Sequence, residues 1–326
     1  MTRDRSVPLE ERASVVEARP ELGGARSTPS FALPEGAADG LPATLGETLI
    51  GPRSFRWGER TFVMGILNVT PDSFSGDGLL ARSSDEGAGG GGIAAAVAQA
   101  RAMADAGADL LDVGGESTRP GHAPVQADEE ARRVVPVIRA VRGELPDMPL
   151  TVDTTKPAVA AAALDAGANA INDVWGVAAD DSLARLAGER GVPIVLMHNR
   201  AEPRYTNLMP EIVADLQRAI ERALEAGVTW TNVLVDPGFG FGKTPEQNLA
   251  LLHELGSLRL LGRPIVLGTS RKSTLGKVLD LPADERVEAT VATTALGVAA
   301  GVDVVRVHDV QANLRAARMA DAVVRR

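Results

Sequence analysis

Short apolar runs rich in β-branched residues alternate with alanine-rich stretches from about residue 53 to the C-terminus. The predicted strands are 62–67, 109–113, 149–152, 169–172, 193–197, 232–235, 264–267 and 303–307. The predicted helices include 93–106, 128–142, 157–166, 179–190, 208–226, 285–300 and 310–324. Repeated β-then-α units predict a parallel sheet with helical crossovers. Eight such units in roughly 270 residues favour an α/β fold of the closed (β/α)8 type, a TIM barrel, over an open doubly wound sheet.

The first 52 residues have a different composition. They are rich in Pro, Gly, Glu, Arg and Ala and show no sustained periodicity, which predicts a flexible extension (1–52) before a barrel domain (53–326). A segment this short and polar cannot form its own core, so a fusion to a second activity is not expected. Residues 55–62 predict a short N-terminal β-hairpin with Gly58 at its turn.

Composition and charge exclude several classes of protein. The 34 basic and 43 acidic residues give a formal net charge of −9, which argues against a nucleic-acid-binding protein. The chain has no cysteine, so disulfides, thiolate nucleophiles and Cys-ligated zinc are ruled out. No apolar run approaches the roughly 18 residues of a membrane span, and the charged N-terminus does not resemble a secretory signal. We therefore expect a cytoplasmic protein with neither nucleic-acid nor membrane partners.

Polar residues follow each predicted strand, where the active site of such a barrel lies. Carboxylate and amide groups that could pair with a flat heterocycle are Asp153, Asn172 and Asp236. Cationic groups suited to a pyrophosphate are Arg119, Lys272, Arg306 and His308. Oxygen ligands that could hold Mg²⁺ are Asn68, Asp72 and Asp77. Any one of these residues could equally be a helix cap, a turn residue or a salt-bridge partner, so the arrangement alone indicates only an enzyme for an anionic ligand.

The motifs that carry these residues resemble a known family. Residues 64–75 (MGILNVTPDSFS) and 112–121 (DVGGESTRPG) resemble the two signatures of dihydropteroate synthases. The stretches VDT, IND, LMH, DPGFGFGKT, GTSRKS and RVHDV follow in the family's order, so the resemblance covers about five-sixths of the chain. It implies a transferase of folate biosynthesis that joins 6-hydroxymethyl-7,8-dihydropterin pyrophosphate to p-aminobenzoate. The products would be 7,8-dihydropteroate and pyrophosphate.

The resemblance also implies a cofactor, an assembly and an inhibitor class. The cofactor would be Mg²⁺, and sulfonamides would compete with p-aminobenzoate for its pocket. The assembly would be a homodimer formed through barrel helices, with residues 285–300 as a candidate surface.

The roles of individual residues are likewise implied by the resemblance. The pterin would be held by Asp153, Asn172, Asp236 and Lys272, with Met197 packing on its face. The pyrophosphate would be held by Asn68, Arg119, Arg306 and His308, with Asn68 also near magnesium. The p-aminobenzoate pocket would be lined by Thr118, Pro120, Phe241 and Ser273. Loops carrying Asp72, Asp77, Thr118 and Arg119 would close over substrate. The catalytic set would be Asp153, Asp236, Lys272, Arg306 and His308.

Two departures and two rival hypotheses accompany this assignment. The sequence reads SFSGDGLL where SFSDGG is commoner in the family, which displaces Asp77 by one position, and LMHNR replaces LMHMRG. A methyltetrahydrofolate methyltransferase would share the VDT, IND and DP motifs but would not need the cations of STRPG, SRKS and RVH. A catalytically silent paralogue that acts as a binding partner should have lost those cations, and here they are present.

Overall fold

The computed structural model describes residues 45–69, 89–116, 125–176 and 180–325. Its strands are β1 (Glu47–Ile50), β2 (Arg53–Arg56), β3 (Phe62–Asn68), β4 (Leu110–Gly114), β5 (Leu150–Asp153), β6 (Ala170–Asp173), β7 (Ile194–Met197), β8 (Val233–Asp236), β9 (Val266–Leu267) and β10 (Val304–Val307). Eight of them form one parallel sheet in the order β8-β7-β6-β5-β4-β3-β10-β9. An isolated parallel bridge between Val235 and Ile265 joins the two ends. The sheet therefore closes, and the predicted (β/α)8 barrel is confirmed.

Helices connect the strands. They are α1 (Gly89–Asp105), α2 (Ala127–Glu144), α3 (Pro157–Asp165), α4 (Ser182–Arg190), α5 (Leu208–Glu225), α6 (Pro245–His253), α7 (Ser273–Leu279), α8 (Val287–Ala299) and α9 (Val310–Val324), with 3-10 turns at Trp230–Asn232, Leu255–Leu261 and Ala283–Glu285. The sequence pattern did not identify α6 and α7, which have 9 and 7 residues. No helix among these described ranges is both long and apolar enough to cross a membrane.

Glycines end several of these helices. Gly107, Gly167, Gly191 and Gly301 stand just before the next strand, as predicted, and have φ values of 96°, 114°, 63° and 94°. A residue with a side chain is strained in this left-handed region, so glycine is favoured where the chain leaves a helix and turns into a strand.

The core has two parts, on the two faces of the barrel wall. Strands β4 to β8 are buried at every position, which explains why they read as continuous apolar runs rather than alternating ones. One apolar cluster fills the space between the sheet and the helices, and includes Leu111, Val152 and Ile171. The other includes Met64 and Leu234 together with Ile50, Phe55 and Trp57 from the N-terminal segment.

The predicted N-terminal hairpin is present, but its predicted position is wrong. Strands β1 and β2 pair antiparallel, with Glu47 opposite Arg56 and Ile50 opposite Arg53, so the chain turns after Gly51 rather than at Gly58. Gly58 lies in the turn that leads from the hairpin into the barrel, and Phe62 belongs to the barrel strand β3. Strand β1 lies before the predicted domain boundary at residue 53.

Aromatic packing explains this arrangement. The rings of Phe55, Trp57 and Phe62 lie 4.9–5.8 Å apart between centroids. The Trp57 indole N–H donates to the Thr48 hydroxyl at 2.9 Å, so the polar atom of this buried ring is satisfied. The hairpin thereby covers the N-terminal end of the barrel with apolar surface. Residues 1–44 lie outside the described residues, and the flexible extension stays a prediction.

Candidate active site

The carboxyl ends of the strands bring the predicted pterin-binding residues together. Asp153 ends β5, Asn172 lies directly opposite it on β6, and Asp236 ends β8. All three residues are buried, with 5–7% of their surface exposed. Because parallel strands end at the same rim of a barrel, positions far apart in sequence become neighbours here.

Arg306, on β10, binds two carboxylates of this rim. Its Nε donates to Asp112 Oδ2 at 2.6 Å, and its Nη2 donates to Asp153 Oδ2 at 2.6 Å. The two carboxylates raise the pKa of the guanidinium, against the opposing effect of burial. Arg306 is therefore a cation whose position is fixed by Asp112 of β4 and Asp153 of β5.

Asp112 is a site residue that the sequence reasoning missed. It is fully buried on β4, and its carboxylate also accepts from Asn172 Nδ2 at 3.0 Å and from the Thr151 hydroxyl. A signal was present, since a carboxylate inside an apolar strand run must have partners to be buried. Asp112 thus connects the amide of Asn172 to the guanidinium of Arg306.

Asp153 keeps one unsatisfied oxygen. Its Oδ1 is buried and has no hydrogen-bond partner among the described residues. Burial raises the pKa of Asp153 to about 7, although the charge of Arg306 opposes the shift. An unpartnered buried oxygen is costly, so this position suits a ligand that supplies an N–H donor.

Asp236 and Lys272 lie on the opposite side of the rim, and the charge of each affects the pKa of the other. Asp236 Oδ1 accepts from the Gly238 amide at 2.7 Å, while burial raises the carboxyl pKa and the charge of Lys272 lowers it. The Lys272 ammonium donates to the Phe239 carbonyl and lies 4.4 Å from the centroid of the Phe241 ring. Burial lowers the pKa of Lys272 to about 8.

Asn68 and His308 meet where β3 and β10 end. Asn68 Nδ2 lies 3.4 Å from His308 Nε2, and the other ring nitrogen lies 2.9 Å from the Ser270 hydroxyl. The same hydroxyl accepts from the His308 amide at 3.1 Å. The Ser270 hydroxyl thus contacts both the ring and the backbone amide of His308 and fixes the orientation of the ring. The sequence analysis did not identify this residue.

The remaining predicted residues are placed as follows. Met197 is buried at the end of β7 opposite Asp236, Phe241 lies in the loop after β8, and Ser273 is exposed at the first position of α7. Outside the described residues lie Asp72, Asp77, Thr118, Arg119 and Pro120. Within the described ranges, no three Asp, Glu or His side chains come together as a metal site.

Comparison with known proteins gives a consistent answer. A profile of the family described as pterin binding enzyme matches residues 64–308. The chain is 50% identical over 278 residues to the dihydropteroate synthase of Clostridium beijerinckii, covering 85% of this chain and 99% of that protein.

Solved structures agree with the sequence comparison. A crystal structure of dihydropteroate synthase from Clostridium difficile, in the presence of pteroic acid, superposes with a TM-score of 0.77 at 47% identity, covering 83% of this chain and 100% of that one. The enzyme from Xanthomonas albilineans with 4-aminobenzoic acid also gives a TM-score of 0.77, at 39% identity, covering 85% and 97%. The range matched by the family profile contains every predicted site residue from Asn68 to His308.

Proposed function

The chain belongs to the pterin-binding enzymes and, within them, to the dihydropteroate synthases, and from this premise we propose how its residues perform that reaction. The enzyme condenses 6-hydroxymethyl-7,8-dihydropterin pyrophosphate with p-aminobenzoate to 7,8-dihydropteroate and releases pyrophosphate. The observation that carries the proposal is the buried Oδ1 of Asp153, which has no hydrogen-bond partner among the described residues. A pterin ring has N–H donors that would satisfy it, together with a carbonyl for a neighbouring donor.

We assign the pterin ring to the rim between β5 and β8. Asp153 and Asp236 would accept from its N–H groups, and Asn172, fixed by Asp112, would contact its amide edge. Lys272 would donate to a ring acceptor, since its ammonium lies among these groups. Met197, buried beside Asp236, would pack on the face of the ring.

We assign the pyrophosphate to the rim between β3 and β10. Arg306, His308 and Asn68 lie there, and the predicted contribution of Arg119 adds to them. When the pterin binds Asp153 in place of Arg306, the Nη2 of Arg306 becomes available to a phosphate oxygen. Asp112 continues to accept from Nε. The p-aminobenzoate would then occupy the side of Phe241 and Ser273, with Thr118 and Pro120 completing the pocket.

The chemistry that this arrangement supports is electrostatic. The bond between the pterin CH2 carbon and the pyrophosphate oxygen breaks, and the electron pair leaves with the pyrophosphate. The Asp236 carboxylate stabilises the positive charge that spreads into the ring, and Arg306 and His308 stabilise the leaving group. The amine of p-aminobenzoate then forms the new C–N bond and loses a proton. No protein nucleophile is required.

Magnesium fits this site through few protein ligands. Asn68 offers one amide oxygen at the end of β3, and magnesium is commonly held by one or two protein oxygens together with substrate phosphates. Asn68 would hold the ion, and the predicted Asp72 and Asp77 would contribute if their loop reaches it. When bound, the ion would supply positive charge for the leaving pyrophosphate.

The test is pyrophosphate release by the purified protein. It is given dihydropterin pyrophosphate and magnesium, with and without p-aminobenzoate, and compared with Arg306→Ala. Arg259→Ala, an exposed arginine of the turn Leu255–Leu261, is the matched control. Release that depends on p-aminobenzoate, is lost in Arg306→Ala and is kept in Arg259→Ala supports the function. A protein that binds the pterin but releases no pyrophosphate would instead be the silent binding partner.

We also propose that the enzyme is a cytoplasmic homodimer. Helices α8 and α9 pack side by side and expose Leu296, Met319 and Val323, each with about half or more of its surface accessible. Large exposed apolar side chains on adjacent helices are typical of a subunit interface. Sedimentation should give a dimer for the native chain and a monomer for Met319→Glu; a monomeric native chain would contradict this assignment.

A further inference from the structure

Lys243 is a half-buried lysine in the loop after β8 that no step of the proposed reaction uses. Its Nζ lies 3.0 Å from the Gly238 carbonyl, 3.0 Å from the Phe241 carbonyl and 3.0 Å from His198 Nδ1. Burial lowers the pKa of Lys243 to about 7, and in the ammonium form each of its three donors has an acceptor here. The side chain therefore folds back on its own loop instead of reaching solvent.

His198 completes this arrangement as a neutral ring. Burial and the charge of Lys243 lower the pKa of His198 to about 3. A neutral ring has one donor and one acceptor, and its Nε2 lies 3.1 Å from Asp215 Oδ2. Nε2 therefore carries the proton and donates to Asp215, which leaves the lone pair of Nδ1 to accept from Lys243.

The loop itself is pressed against the end of β7. Gly238 has a φ of 69°, and a Cβ added there would collide with the His198 carbonyl oxygen. Gly242 has a φ of 52°, and a Cβ there would collide with the Arg200 carbonyl oxygen. At both positions the two backbone segments lie too close together to leave room for a Cβ atom, which is why glycine is needed there.

Asp236 and Lys272, two residues of the pterin site, contact this loop. The Gly238 N–H donates to Asp236 Oδ1 at 2.7 Å, and the carbonyl of the same residue accepts from Lys243. The Phe241 carbonyl also accepts from Lys243, and the Phe241 ring covers the Lys272 ammonium. Lys243 thus binds the backbone carbonyls of Gly238 and Phe241, the two residues that contact Asp236 and Lys272.

We propose that Lys243 is a positioning residue of the pterin pocket. Together with His198, it holds the backbone of residues 238–241 so that the Asp236 carboxylate and the Phe241 ring keep their places. The inference rests on the proposed function, because it concerns the same pocket. It predicts weaker binding of the pterin substrate together with weaker stabilisation of the pterin cation, because Asp236 serves both.

The first test is Lys243→Met, which keeps an unbranched side chain as far as Cε and removes the ammonium group with its three donors. We expect the KM for dihydropterin pyrophosphate to rise by about ten- to a hundredfold and kcat to fall as well, because Asp236 contacts the bound pterin and also stabilises the charge that develops on it. Lys277→Met, on the exposed side of α7, is the matched control and should keep wild-type values. An unchanged KM in Lys243→Met would overturn the proposal.

The second test is independent of the fold of the Lys243 variant. In His198→Asn the amide oxygen takes the place of Nδ1 and still accepts from Lys243, whereas His198→Leu offers no acceptor. We expect the Leu variant to have a raised KM for the pterin substrate. The KM of the Asn variant should stay within about threefold of wild type. Equal defects in the two variants would contradict the positioning role. If the native enzyme itself shows no pyrophosphate release, the proposed function has failed instead.

Discussion

At the scale of single residues, the site is built from buried charges that constrain one another. Arg306 lies between Asp112 and Asp153, and its two hydrogen bonds to them are both 2.6 Å long. A buried guanidinium needs such partners, and a buried carboxylate needs the guanidinium in return. This mutual dependence fixes the geometry before substrate arrives, so little reorganisation is required in the reaction.

Asp112→Asn tests this dependence. The substitution keeps the size of the side chain but weakens the hydrogen bonds to Arg306 and Asn172, which are charge-assisted. Such bonds contribute about 1.5–3 kcal/mol each, so kcat/KM for the pterin substrate should fall by about ten- to a hundredfold. Steady-state kinetics measure the change, with exposed Asp284→Asn as the control. Wild-type kinetics in Asp112→Asn would show that Arg306 does not depend on it.

The pH profile should be set by two buried groups. The pKa of Asp153 is raised to about 7, so the carboxylate that accepts from the pterin forms only as pH rises through that value. The pKa of Lys272 is lowered to about 8, so its charge is lost above that value. We expect kcat/KM for the pterin substrate to rise through about pH 7 and to fall above about pH 8.

Two variants assign the limbs of this profile. Asp153→Asn should abolish the rising limb, and Lys272→Arg should move the falling limb to higher pH because a guanidinium keeps its proton. A profile that is flat from acidic to alkaline pH in the native enzyme would refute both assignments.

At the scale of elements, loops and helix starts place the side chains. The motif DPGFGFGKT ends in Thr244, whose hydroxyl accepts from the Gln247 amide at 3.2 Å while the Gln247 side chain accepts from the Thr244 amide at 2.8 Å. This capping box begins α6 at the point where the loop after β8 ends. The helix start and the site loop are therefore one unit.

Thr244→Ala should destabilise the protein by about 1 kcal/mol, because the cap hydrogen bond is lost. Chemical denaturation measures the difference, and Thr244→Ser, which keeps the hydroxyl, should remain close to wild type. An Ala variant as stable as the native chain would show that tertiary contacts alone hold this helix start.

Helix ends were easier to predict than short helices. The glycines at 107, 167, 191 and 301 identify the ends of four helices, because only glycine takes positive φ without strain. By contrast the sequence pattern did not identify α6, which begins at a capping box, or the seven-residue α7. The hairpin was misplaced for a related reason: Gly51 and Gly58 both have positive φ, and a pattern of residues cannot tell which of the two closes a hairpin.

At the scale of the whole molecule, the two ends of the barrel have different tasks. The carboxyl end carries the charged rim, and the opposite end is covered by the hairpin with Ile50, Phe55 and Trp57. Residues at the rim should therefore affect activity first, and residues of the hairpin should affect stability first.

Two truncations test this division and the domain boundary together. Deletion of residues 1–44 should leave stability and activity unchanged, since the composition of that segment predicts no core. Deletion of residues 1–52 also removes β1, with buried Ile50 and the Thr48 hydroxyl that accepts from Trp57, and should cost about 3 kcal/mol. Thermal unfolding compares the two, and equal stability would place the true boundary at residue 53.

The sequence by itself determined the barrel, since the order of apolar and alanine-rich segments is a local property of the chain. It also indicated which polar residues stand at the strand ends, and its motifs identified the family. Only the tertiary structure decided how those residues pair. Arg306 and Asp112 are 194 positions apart, and they meet because the last strand, β10, pairs with β3, which pairs with β4. Within the described part of the chain, one oxygen of Asp153 is buried without a hydrogen-bond partner, which no linear pattern encodes.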